Sequence, residues 1–383
     1  MQILFVSMTP FEHNTSATIR NKGIVRGLVA LGHVVDTLTL KPQETSLSYD
    51  VSMNDIGALT RNSYFFEPDK KYQLLMAKKP GSHDNSGFEG SNFYRTILRV
   101  GRSSVKYLVD SLSIYDAQKA NVKNISKVNI DYHKYDIIIS ASDPKSSHLI
   151  AERIFRKTSG LNSKWIQYWG DPMFHDITRT SDWRNRIVKY HERKLISQAD
   201  RVIYASPLTL QVQQDTFREF SHKMDYASQV YAGEFKNQPR SRTTQDKPIS
   251  VGYFGAYPSN IRNIVPLYRA AQGADFELTI CGRTDLSLMG SDNVRILDAV
   301  PYEESVKLER ESDILVCICN LRGTQIPGKI YYYTAYDKPI IVALDGDFKD
   351  ELRIYLSSFN RFILCDNNEK SIRAAITEAK AHL

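Results

Sequence analysis

Short apolar runs alternate with amphipathic segments along most of this chain. That rhythm predicts parallel β-α-β architecture, because strands buried on both faces read as continuous apolar runs while crossover helices carry one apolar stripe. The first run, ILFVS (residues 3–7), predicts a strand. A helix follows over about residues 16–31, with Ile19, Ile24, Leu28 and Leu31 spaced for one buried face. Gly32 ends it and VVDTLTL begins the second strand. The rhythm lapses over residues 41–128, where KKPGSHDNSGFEGSN reads as a polar loop. Residues 92–115 predict a helix with Ile97, Val100, Val105, Leu108 and Leu112 among Arg95, Arg99, Arg102 and Lys106. A core helix with a solvated basic face and an interfacial membrane helix both fit that pattern.

The alternation then resumes. YDIIISAS (135–142), KWIQYW (164–169) and DRVIYAS predict strands, separated by the helical segments PKSSHLIAERIFRK and 184–199 and followed by PLTLQVQQDTF. Residues 236–248, KNQPRSRTTQDKP, contain no aliphatic side chain and predict a linker between a first domain, 1–235, and a second, 249–383. The second domain offers ISVGYFG, FELTICG, NVRIL, DILVCIC, KPIIVAL and RFILC as strands, with helices between.

Composition agrees with two cores. At 383 residues the chain exceeds one ordinary domain, and 24% charged residues beside 42% hydrophobic ones exclude wholesale disorder. No apolar run reaches the ~18 residues of a membrane span. The opening MQILFVSMTPFEHN lacks a basic leader region and reads as a buried strand, so the expected location is the cytoplasm, at the inner face of the cell membrane if the basic helix lies on lipid. Cys281, Cys317, Cys319 and Cys365 form no C-x-x-C pair and read as reduced core residues. A net charge of +7 suits an anionic partner; no zinc finger, RNP motif or basic-aromatic repeat points to nucleic acid. Neither G-x-G-x-x-G nor a P-loop lysine follows the first strand of either half, which disfavours ordinary NAD or P-loop domains.

Ligands of open parallel sheets bind beyond the carboxyl ends of the strands, so the turns there carry the candidate chemistry. In GYFGAYPSNIRN, Gly255 allows close backbone approach and Arg262 offers a guanidinium for phosphate oxygens; a tight turn before an exposed arginine fits equally. In ICGRTD, Gly282 with Arg283 or Thr284 presents the same two alternatives. In AVPYEE, Tyr302 could frame a nucleobase, although a plain helix start at Pro301 is the simpler reading. GTQIPGKIYYYTAYDKPIIV is the most informative: a helix opening at Pro327-Gly328-Lys329 would offer amides, a dipole and an ammonium to a diphosphate. Of Tyr331, Tyr332 and Tyr333, at least one is expected to face the ligand.

In this order the segments resemble the GT-B glycosyltransferases, especially the large family 4 type. The carriers are GYFG with Arg262, ICG, NVRIL before a Pro-Tyr helix start, ESDILV, and TAYDKPII, which is similar to the family's A-x-G-K-P-V-I. ATIRNKGIVRGLVALGHVV, YDIIISASDPKSSHLIA and ERKLISQADRVIYASP resemble the acceptor domain, so the likeness covers nearly everything except residues 41–128. It implies an α/β fold of two Rossmann-like domains facing across a cleft, acceptor-binding first and nucleotide-sugar-binding second, with the last helix free to pack back on the first domain. The implied reaction moves a sugar from a nucleoside-diphosphate donor to a saccharide or lipid-linked saccharide, in bacterial surface polysaccharide synthesis. The resemblance places the donor on Gly255, Arg262, Gly282, Thr324, Gly328 and Lys329, with the base near Val300 to Tyr302; Arg283, Pro327 and Tyr332 are further donor-binding candidates. No cofactor or metal is expected, since Arg262, Lys329 and the Gly328 amides would stabilise the leaving diphosphate and no D-x-D pair is placed for a cation.

Two departures qualify the match. The family's two glutamates, separated by seven residues, fall on Thr324 and Tyr332, and Asn260 stands where a lysine is common. A sugar-nucleotide 2-epimerase of the same fold and a non-catalytic binding subunit therefore stay open. In the first domain, Asp171, in the Gly170-Asp171-Pro172 turn after WIQYW, resembles the family's acidic or histidine site near the donor sugar; it could orient a hydroxyl or act as a base, or simply make an Asp-Pro turn. His13 and Asn14 are candidates for acceptor contact. His148 reads as a core histidine and Glu192 as a helix-surface partner of Arg193 or Lys194.

Overall fold

The structure, a computed structural model, describes residues 1–46, 48–70, 72–73, 114–177, 183–229 and 248–383. Residues 92–113 of the expected basic helix and 236–247 of the expected linker lie outside the described residues. The chain divides into two compact units, the first of Met1–Phe174, Ser181–Ile203 and Glu219–Asp225, the second of His175–Thr180, Tyr204–Arg218 and Tyr226–Leu383.

The seven-stranded sheet comprises β1 (Gln2–Ser7), β2 (Val34–Leu40), β3 (Asn62–Phe66), β4 (Ile137–Ala141), β5 (Lys164–Trp169), β6 (Arg201–Tyr204) and β7 (Met224–Tyr226), ordered β3-β2-β1-β4-β5-β6-β7. From β3 to β5 every neighbour is parallel. The strands at the centre need burial on both faces, and β1 and β4 are buried along nearly their whole length. α1 (Ser16–Ala30), α2 (Ser146–Lys157), α3 (Asn185–Gln198) and α4 (Pro207–Thr216) follow in chain order.

α1 departs from the apolar face expected of it. Its buried residues are Thr18, Arg20, Asn21, Lys22, Gly23 and Val25, whereas Ile19, Ile24 and Leu28 are half-buried and Leu31, its C-cap, is exposed. Polar burial of this kind has to be matched by partners. Lys22 donates to the Met53 carbonyl and pairs with Asp55 at 2.8 Å, and Asn21 donates to the Ser7 hydroxyl at 3.2 Å. The side chains that the helix turns inward crowd the carboxyl end of β1.

The second unit holds a six-stranded sheet of β8 (Ile249–Phe254), β9 (Phe276–Cys281), β10 (Val294–Leu297), β11 (Ile314–Ile318), β12 (Ile340–Leu344) and β13 (Ile363–Asp366), ordered β10-β9-β8-β11-β12-β13 and parallel throughout. Besides α4, its helices are α5 (Val265–Ala271), α6 (Tyr302–Glu311), α7 (Gly328–Tyr333), α8 (Lys349–Ser357) and α9 (Glu369–Lys380). Residues 282–293, between β9 and β10, form a loop instead of a helix. The last helix sets Ile372, Ala375, Ile376 and Ala379 into this unit's own core beside Leu267, Ile280 and Val316. All four cysteines are free and buried. Among the described residues no helix is long and apolar enough to cross a membrane.

Candidate functional site

In the second sheet the winding reverses between β8 and β11: from β8 the chain builds outward through β9 to β10, and from β11 through β12 to β13. Such a reversal opens a crevice at the carboxyl ends of the two central strands. The turns that meet there are built for close approach. Gly255 ends β8 and Gly282 follows β9, with the Gly255 amide donating to the Cys281 carbonyl at 2.9 Å. A β-carbon on Gly282 would lie 2.0 Å from the Gly255 carbonyl oxygen, so only glycine fits.

Arg262 spans the reversal. Its Nε donates to Asn320 Oδ1 at 3.0 Å, just past β11, and its Nη1 to the Ala256 carbonyl at 2.8 Å, just past β8. Both acceptors are neutral, and among the described residues no carboxylate pairs with it. The Leu321 amide donates to the Ile261 carbonyl at 2.8 Å, fastening the two loops together. Asn320, 6% exposed, also donates to the Gln325 carbonyl at 2.9 Å and so carries the arginine's position into the 323–328 turn.

Lys329 enters from α7 beside Tyr333, whose hydroxyl reaches the Phe254 carbonyl at the end of β8. Lys329 is not an isolated charge: its Nζ contacts Glu309 of α6, whose carboxylate is buried and also accepts from the Tyr336 hydroxyl at 2.8 Å. The ammonium lies 5.5 Å from the Tyr333 ring centroid. α7 is six residues long, opened by Pro327 and Gly328. The three tyrosines are all buried and have separate partners: Tyr331 faces the Tyr355 hydroxyl at 3.3 Å, Tyr332 donates to Gln229 at 2.9 Å, and Tyr333 reaches the Phe254 carbonyl at 3.4 Å.

The other expected donor residues take distinct places. Arg283 is exposed after Gly282, and its carbonyl accepts from the Tyr257 amide at 2.9 Å. Val300 and Tyr302 are half-buried where α6 begins. Thr324 is buried; its hydroxyl meets that of Thr209 at 2.8 Å and its carbonyl accepts from Ser206 at 2.9 Å, both from the start of α4 within the same unit. Thr324 and Tyr332 thus spend their hydroxyls on protein groups, as expected of positions that hold up a turn.

In the first unit the reversal falls between β1 and β4. His13 and Asn14 lie in the loop after β1. His13 Nδ1 meets the Ser48 hydroxyl at 3.1 Å, the Asn14 amide donates to the Ser48 carbonyl at 2.7 Å, and burial lowers the His13 pKa to about 4. Asp171 lies in the turn after β5. That turn is held by a residue sequence reasoning assigned to the helix surface: Glu192 is fully buried, and its carboxylate accepts the Met173 amide at 3.1 Å and the Phe174 amide at 2.7 Å. The surface pairings fall instead to its neighbours, Arg193 with Glu219 at 2.6 Å and Lys194 with Glu152 at 3.5 Å. The pattern on α3 carried no sign of this, because the partners of Glu192 are backbone amides 19 and 18 residues upstream, which only the fold brings to it.

Sequence reasoning also passed over Arg20. It is buried, donates to the Ser142 carbonyl at the end of β4, and lies over the Tyr168 ring, 5.5 Å from its centroid. The one available signal was its position within a helix start that follows a strand.

No family profile and no curated protein sequence matches the chain. Solved structures do. The catalytic domain of starch synthase IV from Arabidopsis thaliana, bound to ADP and acarbose, matches 100% of this chain and 91% of its own at 12% identity, with a TM-score of 0.58. The α,α-trehalose 6-phosphate synthase of Burkholderia multivorans matches 100% and 90% at 11% identity, TM-score 0.53. An α-glucosyltransferase in complex with UDP-glucose and DNA containing an abasic site matches 100% and 90% at 9% identity, TM-score 0.56. At such identities the likeness is one of fold, and with the two parallel sheets described above it gives this chain the GT-B fold of paired Rossmann-like domains.

Proposed function

We propose that this protein is a glycosyltransferase that takes a sugar from a nucleoside diphosphate and passes it to a hydroxyl of a saccharide or lipid-linked saccharide. The observation that carries the reading is Arg262: a guanidinium whose partners among the described residues are neutral oxygens, at the winding reversal of a parallel sheet, beside the Gly255 and Gly282 turns. A diphosphate offers pairs of anionic oxygens that the planar guanidinium fork can hold bidentately. As the glycosidic bond breaks, negative charge gathers on the leaving diphosphate, and a fixed cation there lowers the barrier without reorganising. ADP and UDP-glucose in proteins of the same fold make a nucleoside-diphosphate sugar the natural donor class.

Around that contact Gly255, Gly282, Arg283, Pro327 and Gly328 line the diphosphate, and Val300 and Tyr302 take the base. Thr324 and Tyr332, whose hydroxyls meet Thr209 and Gln229, support the turn. Glu309 fixes Lys329 and offsets part of its charge, so Arg262 supplies the larger share of the field. Asp171, on the turn braced by Glu192, orients a sugar hydroxyl or takes its proton, with His13 and Asn14 toward the acceptor. Retention of configuration and a place in bacterial surface polysaccharide synthesis follow the family 4 resemblance, and a place at the inner membrane face follows the basic sequence of residues 92–115.

The test uses Arg262→Ala. Truncating Lys329 instead would strand the buried Glu309 charge, at a cost of about 3–5 kcal/mol, and confound activity with folding. Calorimetry with UDP, ADP and GDP should show one that binds the wild type and binds Arg262→Ala at least about tenfold more weakly, while nucleotide release from the matching sugar donor falls about 100-fold. Failure of every diphosphate to bind the wild type would overturn the reading.

A further inference from the structure

The first unit contains a buried charge that none of the described residues compensates. Arg20 is 4% exposed, and a guanidinium keeps its charge at any pH the protein meets. Its Nη2 donates to the Ser142 carbonyl and its carbon lies 5.5 Å from the Tyr168 ring centroid, but its Nε is buried with no acceptor. Among the described residues no carboxylate pairs with it; Asp143, which follows its partner Ser142, is held by Lys145 at 2.6 Å. A buried cation without a counter-charge costs several kcal/mol, and a glutamine could make the Ser142 hydrogen bond without that cost. Stability alone gives no account of an arginine here.

Its surroundings describe a receptor. Arg20 lies at the carboxyl ends of β4 and β5, beside the reversal between β1 and β4, where a parallel sheet receives its ligand. The chain keeps its seat clear: a β-carbon at Gly170 would come within 2.2 Å of Arg20 Nη1. The adjacent Asn21, 1% exposed, donates to Ser7 at 3.2 Å, and its Oδ1 is buried without a donor. One helix turn therefore carries an unsatisfied donor on a fixed cation and an unsatisfied acceptor. An oxyanion answers the first, and a hydroxyl on the same molecule answers the second.

We propose that Arg20 makes the carboxyl edge of the first sheet a site for an oxyanion, a phosphate or a carboxylate, carried by a hydroxylated acceptor. This rests on the transferase reading and narrows its acceptor to an anionic saccharide. Arg20 acts in recognition: it sets which acceptor binds, while Arg262 serves the donor.

The experiment titrates the full chain with inorganic phosphate and, separately, glucuronate, at constant ionic strength in chloride, using the wild type, Arg20→Gln and Arg262→Gln. Wild type and Arg262→Gln should bind at least one probe, and Arg20→Gln should bind it about tenfold more weakly or not at all, with its melting temperature in probe-free buffer equal to or above that of wild type. The probe that binds distinguishes phosphate from carboxylate. If Arg20→Gln does not fold, Arg20→Lys, which keeps the charge and loses the fork, takes its place, and weakened binding supports the site. Binding of neither probe to the wild type, or undiminished binding to the Arg20 variant, overturns the proposal. Diphosphate titrations run alongside: their failure in every variant would sink the transferase reading while the oxyanion result is judged on its own.

Discussion

His148 shows at the scale of one residue how burial becomes a pH dependence. Trp165 donates its indole N–H to Ser140 Oγ at 2.8 Å, and the same oxygen lies 2.8 Å from His148 Nδ1. The buried imidazole packs at a tilt against Trp169, with centroids 4.1 Å apart. Burial, with Lys145 and Arg20 nearby, lowers its pKa to about 3. Unfolded, it titrates near 6.5, so between those values the unfolded chain binds a proton that the folded one does not. Stability from this group is complete above pH 6.5 and is lost as pH falls toward 3, at up to about 1.4 kcal/mol per pH unit. His13, lowered by burial to about 4, adds to the slope above that value. Urea unfolding of wild type and His148→Gln from pH 7 to 4 should show a shallower loss in the variant; parallel curves would mean that His148 does not titrate on unfolding.

At the scale of elements, legibility followed burial on both faces. β1, β4, β11 and β12 were plain in the sequence because a central parallel strand must be apolar along its whole length, and ILFVS, IIIS, ILVCI and IIVAL are. β3, at the sheet edge, exposes three of the residues in NSYFF and carried no such signal, and β7 is three residues long. α1 was legible as a helix and misread in its face, because periodicity assumes that the apolar stripe turns inward; here the inward stripe carries Arg20, Asn21 and Lys22. The turn glycines were legible as glycines, but their necessity lay in contacts between strands distant in sequence. Two substitutions separate these cases. Gly27 lies inside α1 with nothing within 4 Å of an added β-carbon, so Gly27→Ala should stabilise by about 1 kcal/mol through helix propensity. Gly282→Ala drives a methyl onto the Gly255 carbonyl and should cost more than about 3 kcal/mol. Thermal unfolding of both variants checks the signs; a Gly282→Ala protein as stable as wild type would mean that the strand ends are not in contact.

Across the whole molecule the two sheets repeat one device. Each reverses its winding between two central strands, β1 and β4 in one, β8 and β11 in the other, and each sets beside the reversal an arginine whose hydrogen bonds go to neutral oxygens. The sequence disguised the repetition, since Arg262 follows a glycine turn and Arg20 lies inside a helix. If Arg262 holds the donor diphosphate, backbone opening should slow where its partners lie, because a ligand at about 100 times its Kd removes ~2.7 kcal/mol of opening from the bound segments. Hydrogen exchange of the full chain with a saturating nucleoside diphosphate should therefore slow about 100-fold over residues 255–262, 282–284 and 320–329. Residues 7–22 and 168–174, around Arg20, should keep their ligand-free rates until an anionic acceptor is added. Equal slowing of both sets by the diphosphate alone would refute the division of labour between the two arginines, and slowing confined to 7–22 would reverse it.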